Sequence, residues 1–167
     1  MDAGSLLLDL HHIPVDNDVA MQRQVIHAIN LCKERPRLFT MEVFGVVSNE
    51  LVEQTPIPRL TLRTMILGVT LFPRLKKIML NLLQKLILKK IWTLDPVLWK
   101  GFQKCISALQ PQSFAVLPDL PPEPFQQLMQ AESDLKPLLR EYIGAIEEDE
   151  TKEKFSSILK VVDGLSD

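Results

Sequence analysis

The sequence predicts an all-α fold, arranged as a HEAT-like α-solenoid of antiparallel helix pairs. Aliphatic residues recur three and four positions apart along most of the chain, which is the period of a helix face. Most of the 12 prolines fall between these segments, as helix interiors require. Alternating apolar and polar runs, which would indicate strands, are poorly represented. The turns are short, which favours antiparallel neighbours, although no strict sequence repeat accompanies them.

Four helices separated by proline-containing turns are predicted in the N-terminal half. Asp16 or Asn17 is a candidate N-cap for the second helix and Thr40 for the third, since short polar side chains accept hydrogen bonds from the first N–H groups of a helix. A stiff turn that contains Pro56 and Pro58 precedes the fourth helix. The predicted bounds are residues 5–11, 18–33, 40–54 and 59–71.

The next helix, predicted at residues 74–92, is both very apolar and cationic. Leu80, Leu88 and Ile91 extend its apolar stripe over most of the circumference. We therefore expect this helix to pack on two sides at the centre of the fold. Its polar positions are mainly basic: Arg74, Lys76, Lys77, Lys85, Lys89 and Lys90.

The C-terminal half begins with Asp95-Pro96, an N-cap followed by a first-turn proline. Helices are predicted at residues 96–109, 112–117, 124–132, 134–146 and 151–162. The last helix carries an apolar stripe of Phe155, Ile158, Leu159 and Val162. We divide the chain into a helical domain at residues 1–146 and an acidic linker with a terminal helix at residues 147–167.

Charge is strongly segregated along the chain. The formal net charge is −2, but residues 1–58 carry −4, residues 59–104 carry +9 and residues 105–167 carry −7. Such segregation favours directed electrostatic attraction, either between neighbouring helices or toward an acidic partner.

Catalytic and metal-binding patterns are not found, so we expect a non-enzymatic chain without a cofactor. The histidines at positions 11, 12 and 27 lack metal-ligand spacing and are interpreted as helix-surface side chains. Cys32 and Cys105 lie outside any CxxC pattern and are expected to be buried thiols. A glycine-rich phosphate loop and a GxSxG nucleophile motif are both absent.

The basic block at residues 59–104 has three interpretations. Long lysine stems can simply cover apolar surface and leave their charges in water. The block can also form a cationic groove for acidic protein segments, or contact RNA phosphates. The protein-binding candidates are Arg59, Arg63, Arg74, Lys77, Lys85 and Lys89, with Trp92, Trp99 and Phe102 as apolar anchors. The RNA alternative uses the same basic residues together with Lys76 and Lys90.

Several short motifs in a fixed order resemble the C-terminal domain of symplekin. The most specific of these motifs are Trp-Lys-Gly-Phe at residues 99–102 and Gln-Pro-Gln-Ser-Phe at residues 110–114. Ala-Ile-Asn-Leu-Cys at residues 28–32 and Gln-Thr-Pro-Ile-Pro at residues 54–58 precede them. The resemblance extends over about residues 20–125.

This resemblance implies a nuclear scaffold of pre-mRNA 3′-end processing that is helical and non-enzymatic. The implied partners are the C-terminal domains of the endonuclease and of its inactive partner in the cleavage and polyadenylation specificity factor. The RNA-binding component of the cleavage stimulation factor is a further implied partner. Members of the family are far longer and have an N-terminal HEAT domain that is not found here, so we expect an excised domain or a truncated relative.

Overall fold

The computed structural model describes residues 2–164, without the side chains of residues 159, 162 and 163. Within this range the chain folds into helices and turns without strands, which confirms the all-α class. Short 3₁₀ helices occupy Cys32–Glu34, Pro73–Leu75, Ile91–Thr93 and Gln112–Asp119. The α-helices are α1 Ala3–Leu10, α2 Val19–Leu31, α3 Met41–Glu53, α4 Thr61–Leu71, α5 Lys76–Leu88, α6 Pro96–Leu109, α7 Pro122–Ala131, α8 Leu135–Gly144 and α9 Asp149–Gly164.

Polar side chains cap the N-termini of several of these helices. Thr40 Oγ1 accepts a hydrogen bond from the Val43 N–H at 3.3 Å, and Asp95 Oδ1 accepts one from Val97 at 2.8 Å, which confirms both predicted N-caps. The cap predicted at Asp16 or Asn17 is wrong. Asp18 caps α2 instead, since its Oδ1 accepts a hydrogen bond from the Met21 N–H at 2.9 Å, while Asn17 is in the left-handed region at φ 62°. Short polar side chains such as asparagine tolerate that region best among non-glycine residues.

The helix predicted at residues 74–92 is shorter than expected. Its first residues form a 3₁₀ turn, and α5 ends at Leu88. Lys90 is in the left-handed conformation with φ 55°, which stops the helix before the 3₁₀ turn Ile91–Thr93. Burial of the predicted apolar stripe is also incomplete, because Ile78 is 44% exposed and Leu88 is 81% exposed.

The chain divides into two compact units, residues 1–86 and residues 87–167. In unit 1, α1 packs on α2 and α3, and α3 packs on α4. Phe44 of α3 is fully buried at this junction. Gly68 of α4 faces it so closely that an added Cβ would lie 3.2 Å from the Phe44 side chain. The missing side chain therefore permits the close approach of α4 to α3.

In unit 2, α6 packs on the 3₁₀ helices before and after it, while α9 packs on α7 and α8. Tyr142 joins these parts, since its ring lies edge-on to Phe114 at 5.4 Å and to Phe155 at 5.7 Å. Phe155 and Ile158 of α9 are buried, whereas the predicted core side chains of Leu159 and Val162 lie outside the described set.

The domain boundary predicted at residue 146 stays a prediction. The division into two compact units falls between residues 86 and 87, within α5. The last helix, α9, is part of the second unit. The charge of the acidic run predicts a linker, but charge on an exposed turn does not prevent the next apolar stripe from packing. The HEAT-like pairing of the helices stays a prediction.

Candidate docking surfaces

Two of the predicted basic contacts are engaged inside unit 1. The Arg59 guanidinium lies 3.3 Å from Asp16 Oδ1, and the Lys85 ammonium lies 3.1 Å from Glu53 Oε1. Lys85 also donates a hydrogen bond to Asn49 Oδ1 at 3.3 Å. These partly exposed pairs contribute little free energy, but they place the two cations against acidic neighbours of their own chain.

The other predicted cations of unit 1, Arg63, Arg74 and Lys77, are exposed. Arg63 is in the first turn of α4, and Arg74 follows the last turn of that helix. Because α4 is about 16 Å long, these two residues lie at opposite ends of it. Arg74 and Lys77, in contrast, are three residues apart at the start of α5. The basic block is therefore not one cluster, and its exposed part in unit 1 centres on the N-terminus of α5.

Positive charge at the start of α5 opposes the dipole of this helix, since Lys77 lies in its first turn and Arg74 lies in the 3₁₀ turn just before it. No acidic residue is present in the first turn of α5, while Lys76 adds a third positive charge there. A helix N-terminus carries a partial positive charge, so each cation beside it costs about 0.3–1 kcal/mol. Positive charge at this end therefore does not stabilise α5.

The remaining predicted contacts belong to unit 2, where the aromatic residues form a stack. The Trp99 ring lies on Phe102 with centroids 5.5 Å apart, and Trp92 meets Trp99 edge-on at 6.5 Å. Trp92, Trp99 and Lys89 are half-buried. Phe102 is 0% exposed, so it is a core residue, contrary to its prediction as a partner anchor.

The Trp99 indole is fixed by its surroundings. Its Nε1–H donates to Gln127 Oε1 at 2.9 Å, and Phe102 covers one of its faces. An open platform for stacking bases needs a free ring face and repeated aromatic residues along a strand path. The geometry of Trp99 fits a rigid hydrophobic contact better than base stacking.

An apolar groove in unit 1 was not found from the sequence. It has a volume of about 710 Å³ and lies between α1, the loop before α3, and α3 itself. Leu6, Leu38 and Val46 line it and are 44%, 59% and 59% exposed. These three residues lie far apart in the sequence, so only the packing of α1 on α3 brings them together. The sequence does place more apolar residues on α3 than one helix face needs. Helical spacing alone, however, predicts that such residues belong to the core.

The described residues contain no group of three or more His, Cys, Asp or Glu side chains arranged to hold a metal ion. No helix in the described part of the chain is long and apolar enough to cross a membrane. Cys32 and Cys105 are buried thiols, as predicted. Burial raises the pKa of both, which keeps the unreactive protonated form at neutral pH.

The prediction that the histidines lie on helix surfaces holds for His27, whereas His12 is exposed in the turn after α1, and the prediction is wrong for His11. His11 is buried between α1 and α4, where Nδ1 contacts the Leu7 carbonyl oxygen at 2.8 Å and Nε2 contacts the Thr64 hydroxyl at 2.6 Å. The carbonyl can only accept, so Nδ1 donates and the neutral ring accepts from Thr64. Sequence spacing does not reveal this bond, because its two partners are in different helices.

Acidification is expected to destabilise the protein through His11. Burial, together with a smaller effect of His12, lowers the pKa of His11, while its bond to Leu7 acts in the opposite direction. The unfolded chain therefore binds a proton near pH 6.5 while the folded chain does not, so stability is lost as the pH falls below about 6.5. Urea unfolding at about pH 7.5 and about pH 5, which lie on either side of the ordinary histidine pKa of 6.5, measures the effect.

The His11→Gln variant tests the assignment against His27→Gln, which changes an exposed histidine. We expect His11→Gln to lower the stability at neutral pH and to flatten its pH dependence. His27→Gln should keep the wild-type slope. Equal slopes in the His11 variant and the wild type would show that another group is responsible.

A protein-family model matches most of the chain. A model described as "Symplekin tight junction protein C terminal" matches residues 1–132, which includes unit 1 and the helices of unit 2 through α7. No solved structure matches the chain.

Proposed function

Since the chain belongs to the symplekin C-terminal family, we propose that it is a non-enzymatic scaffold for pre-mRNA 3′-end cleavage and polyadenylation. It binds the C-terminal domains of the endonuclease and of its inactive partner in the cleavage and polyadenylation specificity factor. The RNA-binding component of the cleavage stimulation factor is a further partner. No cofactor is needed for this role.

The observation that carries the proposal is the exposed cationic start of α5. Lys77 in the first turn of α5 and Arg74 in the 3₁₀ turn just before it add positive charge at the positive end of the α5 dipole, so an acidic partner segment would stabilise this end of α5. The half-buried Trp92 and Trp99 of unit 2 supply apolar contact area at low entropic cost. Cationic and aromatic contacts of this kind suit protein docking, and neither requires catalytic groups.

Co-purification with the C-terminal domains of the endonuclease and of its inactive partner tests the proposal. The wild-type chain should form a complex that persists through size-exclusion chromatography. The Arg74→Glu/Lys77→Glu variant should weaken that complex by more than about tenfold, because attractive contacts become repulsive. Lys152→Glu/Lys154→Glu makes the same charge change on the exposed face of α9 and should leave the affinity unchanged. Failure of the wild-type chain to bind either domain would refute the scaffold role.

Direct RNA binding is the second candidate, and a salt titration separates it from the first. Phosphate contacts release counterions, so RNA affinity falls steeply as salt rises. The pairing of Arg59 and Lys85 with acidic residues of unit 1 argues against a continuous phosphate track. We expect no saturable binding of single-stranded RNA at low salt. Tight, salt-sensitive binding that is lost in Arg74→Glu/Lys77→Glu would favour the RNA alternative.

A nuclear location is part of the proposal, although the words of the matching family's description refer to tight junctions. A scaffold of 3′-end processing must reach the nascent transcript in the nucleus. Imaging of the fluorescently tagged natural protein distinguishes the two locations. Exclusive staining of cell junctions would contradict the proposed role.

A further inference from the structure

We infer that the groove of unit 1 is a second docking surface, one that takes a basic amphipathic helix of a partner protein. This surface is separate from the cationic start of α5 and has the opposite charge. The inference goes beyond the proposed function and does not rest on it, because it follows from the lining of the groove alone.

The lining of the groove is mainly apolar. Leu6 contributes from α1, Leu38 from the loop before α3, and Val46 from α3. Val43 and Val47 complete the α3 side. Three large apolar side chains that are each close to half exposed or more, and that share one concave site of about 710 Å³, provide the kind of anchor pocket into which an amphipathic helix inserts its apolar face.

Acidic residues flank the apolar lining on both helices. On α1, the exposed carboxylates of Asp2 and Asp9 lie four residues before and three residues after Leu6, on the same face. On α3, the exposed carboxylates of Glu42 and Glu50 lie four residues before and after Val46. Asp2 is held ionised, because hydrogen bonding to Ser5 lowers its pKa.

The charge of the rim determines the chemistry of the occupant. Asp2 and Glu42 line the groove directly, with Arg37 as a basic lining residue. Asp9 and Glu50 extend the acidic edges, so negative charge predominates around the opening. Lysine or arginine on the flanks of an incoming helix would meet these carboxylates, while an acidic helix would be repelled.

The dimensions fit a short helix. The α3 side of the groove extends from Glu42 to Val47, over about 9 Å, so about two turns of a parallel or antiparallel partner helix cover it. A partner of this size can place apolar residues at every third or fourth position against Leu38 and Val46 while its basic flanks meet the acidic edges.

A labelled synthetic helix of about four turns, with leucine on one face and lysine on both flanks, is the probe. Fluorescence anisotropy with the full chain should show saturable binding that weakens with salt. The Leu38→Ser/Val46→Ser variant should weaken binding by more than about tenfold, because it removes the exposed apolar anchors. Glu42→Lys/Glu50→Lys should weaken it comparably. Two matched probes, one with glutamate in place of lysine and one with the same composition scrambled, should not bind.

The control variant is Val19→Ser/Leu31→Ser, which removes exposed apolar side chains of α2 that do not line the groove. It should bind the lysine probe as the wild type does, and thermal unfolding should show that all variants are folded. Equal binding by Leu38→Ser/Val46→Ser and wild type would overturn the inference, as would equal binding of the glutamate probe. Self-association of the wild type that Leu38→Ser/Val46→Ser abolishes would also overturn it, because the occupant would then be a second copy.

Discussion

Replacement of Phe102 by alanine is expected to destabilise unit 2 by about 3–5 kcal/mol. The ring is 0% exposed in α6, so its removal takes a large apolar side chain out of the core and leaves a cavity. It also removes the surface on which Trp99 stacks at 5.5 Å. Trp99 itself remains tied to Gln127, which limits how far it can move to fill the space.

Urea unfolding of the full chain measures this loss, and native-state hydrogen exchange of the α6 amides locates it. Leu94→Ala is the matched control, because Leu94 is an apolar residue of the same unit that is 42% exposed. It should cost less than about 1 kcal/mol. A Phe102→Ala variant that keeps wild-type stability but loses partner binding would restore the original interpretation of Phe102 as an anchor.

The helical class was predictable because its signals are local. Thr40 and Asp95 were identified as caps from residue type and position alone, and both make the expected bonds. The end of α5 was not predictable in the same way. Apolar and basic residues continue past Leu88 with good helical spacing. The backbone nevertheless takes a left-handed conformation at Lys90, and a lysine in the sequence does not predict one.

Burial was less predictable than secondary structure, because it depends on which helices meet. His11 looks like a surface residue in its own helix, and only the approach of α4 encloses it. Phe102 was placed beside two tryptophans as an anchor, although the packing of α6 turns it inward. The groove depends on residues from three segments, so no single helix pattern could identify it.

Replacement of Gly68 by leucine is expected to destabilise unit 1 by about 3 kcal/mol, near the upper end for overpacked cores. The first added atom would lie 3.2 Å from the Cβ and Cδ1 atoms of Phe44, and the rest of the side chain would have to displace that ring. Phe44 is fully buried and its ring lies 6.1 Å from that of Phe72, so it has little freedom to yield. The loss arises although leucine is intrinsically a better helix former than glycine.

Gly144→Leu provides the opposite case with the same chemical change. Gly144 ends α8, and an added Cβ there would meet no atom within 4 Å. Only the helix propensity changes at this site, so the variant should be neutral or more stable by up to about 1 kcal/mol. Urea unfolding of both variants therefore separates steric cost from propensity. Similar stability of the two variants would mean that α4 can move away from α3, and that Gly68 does not set the distance between these helices.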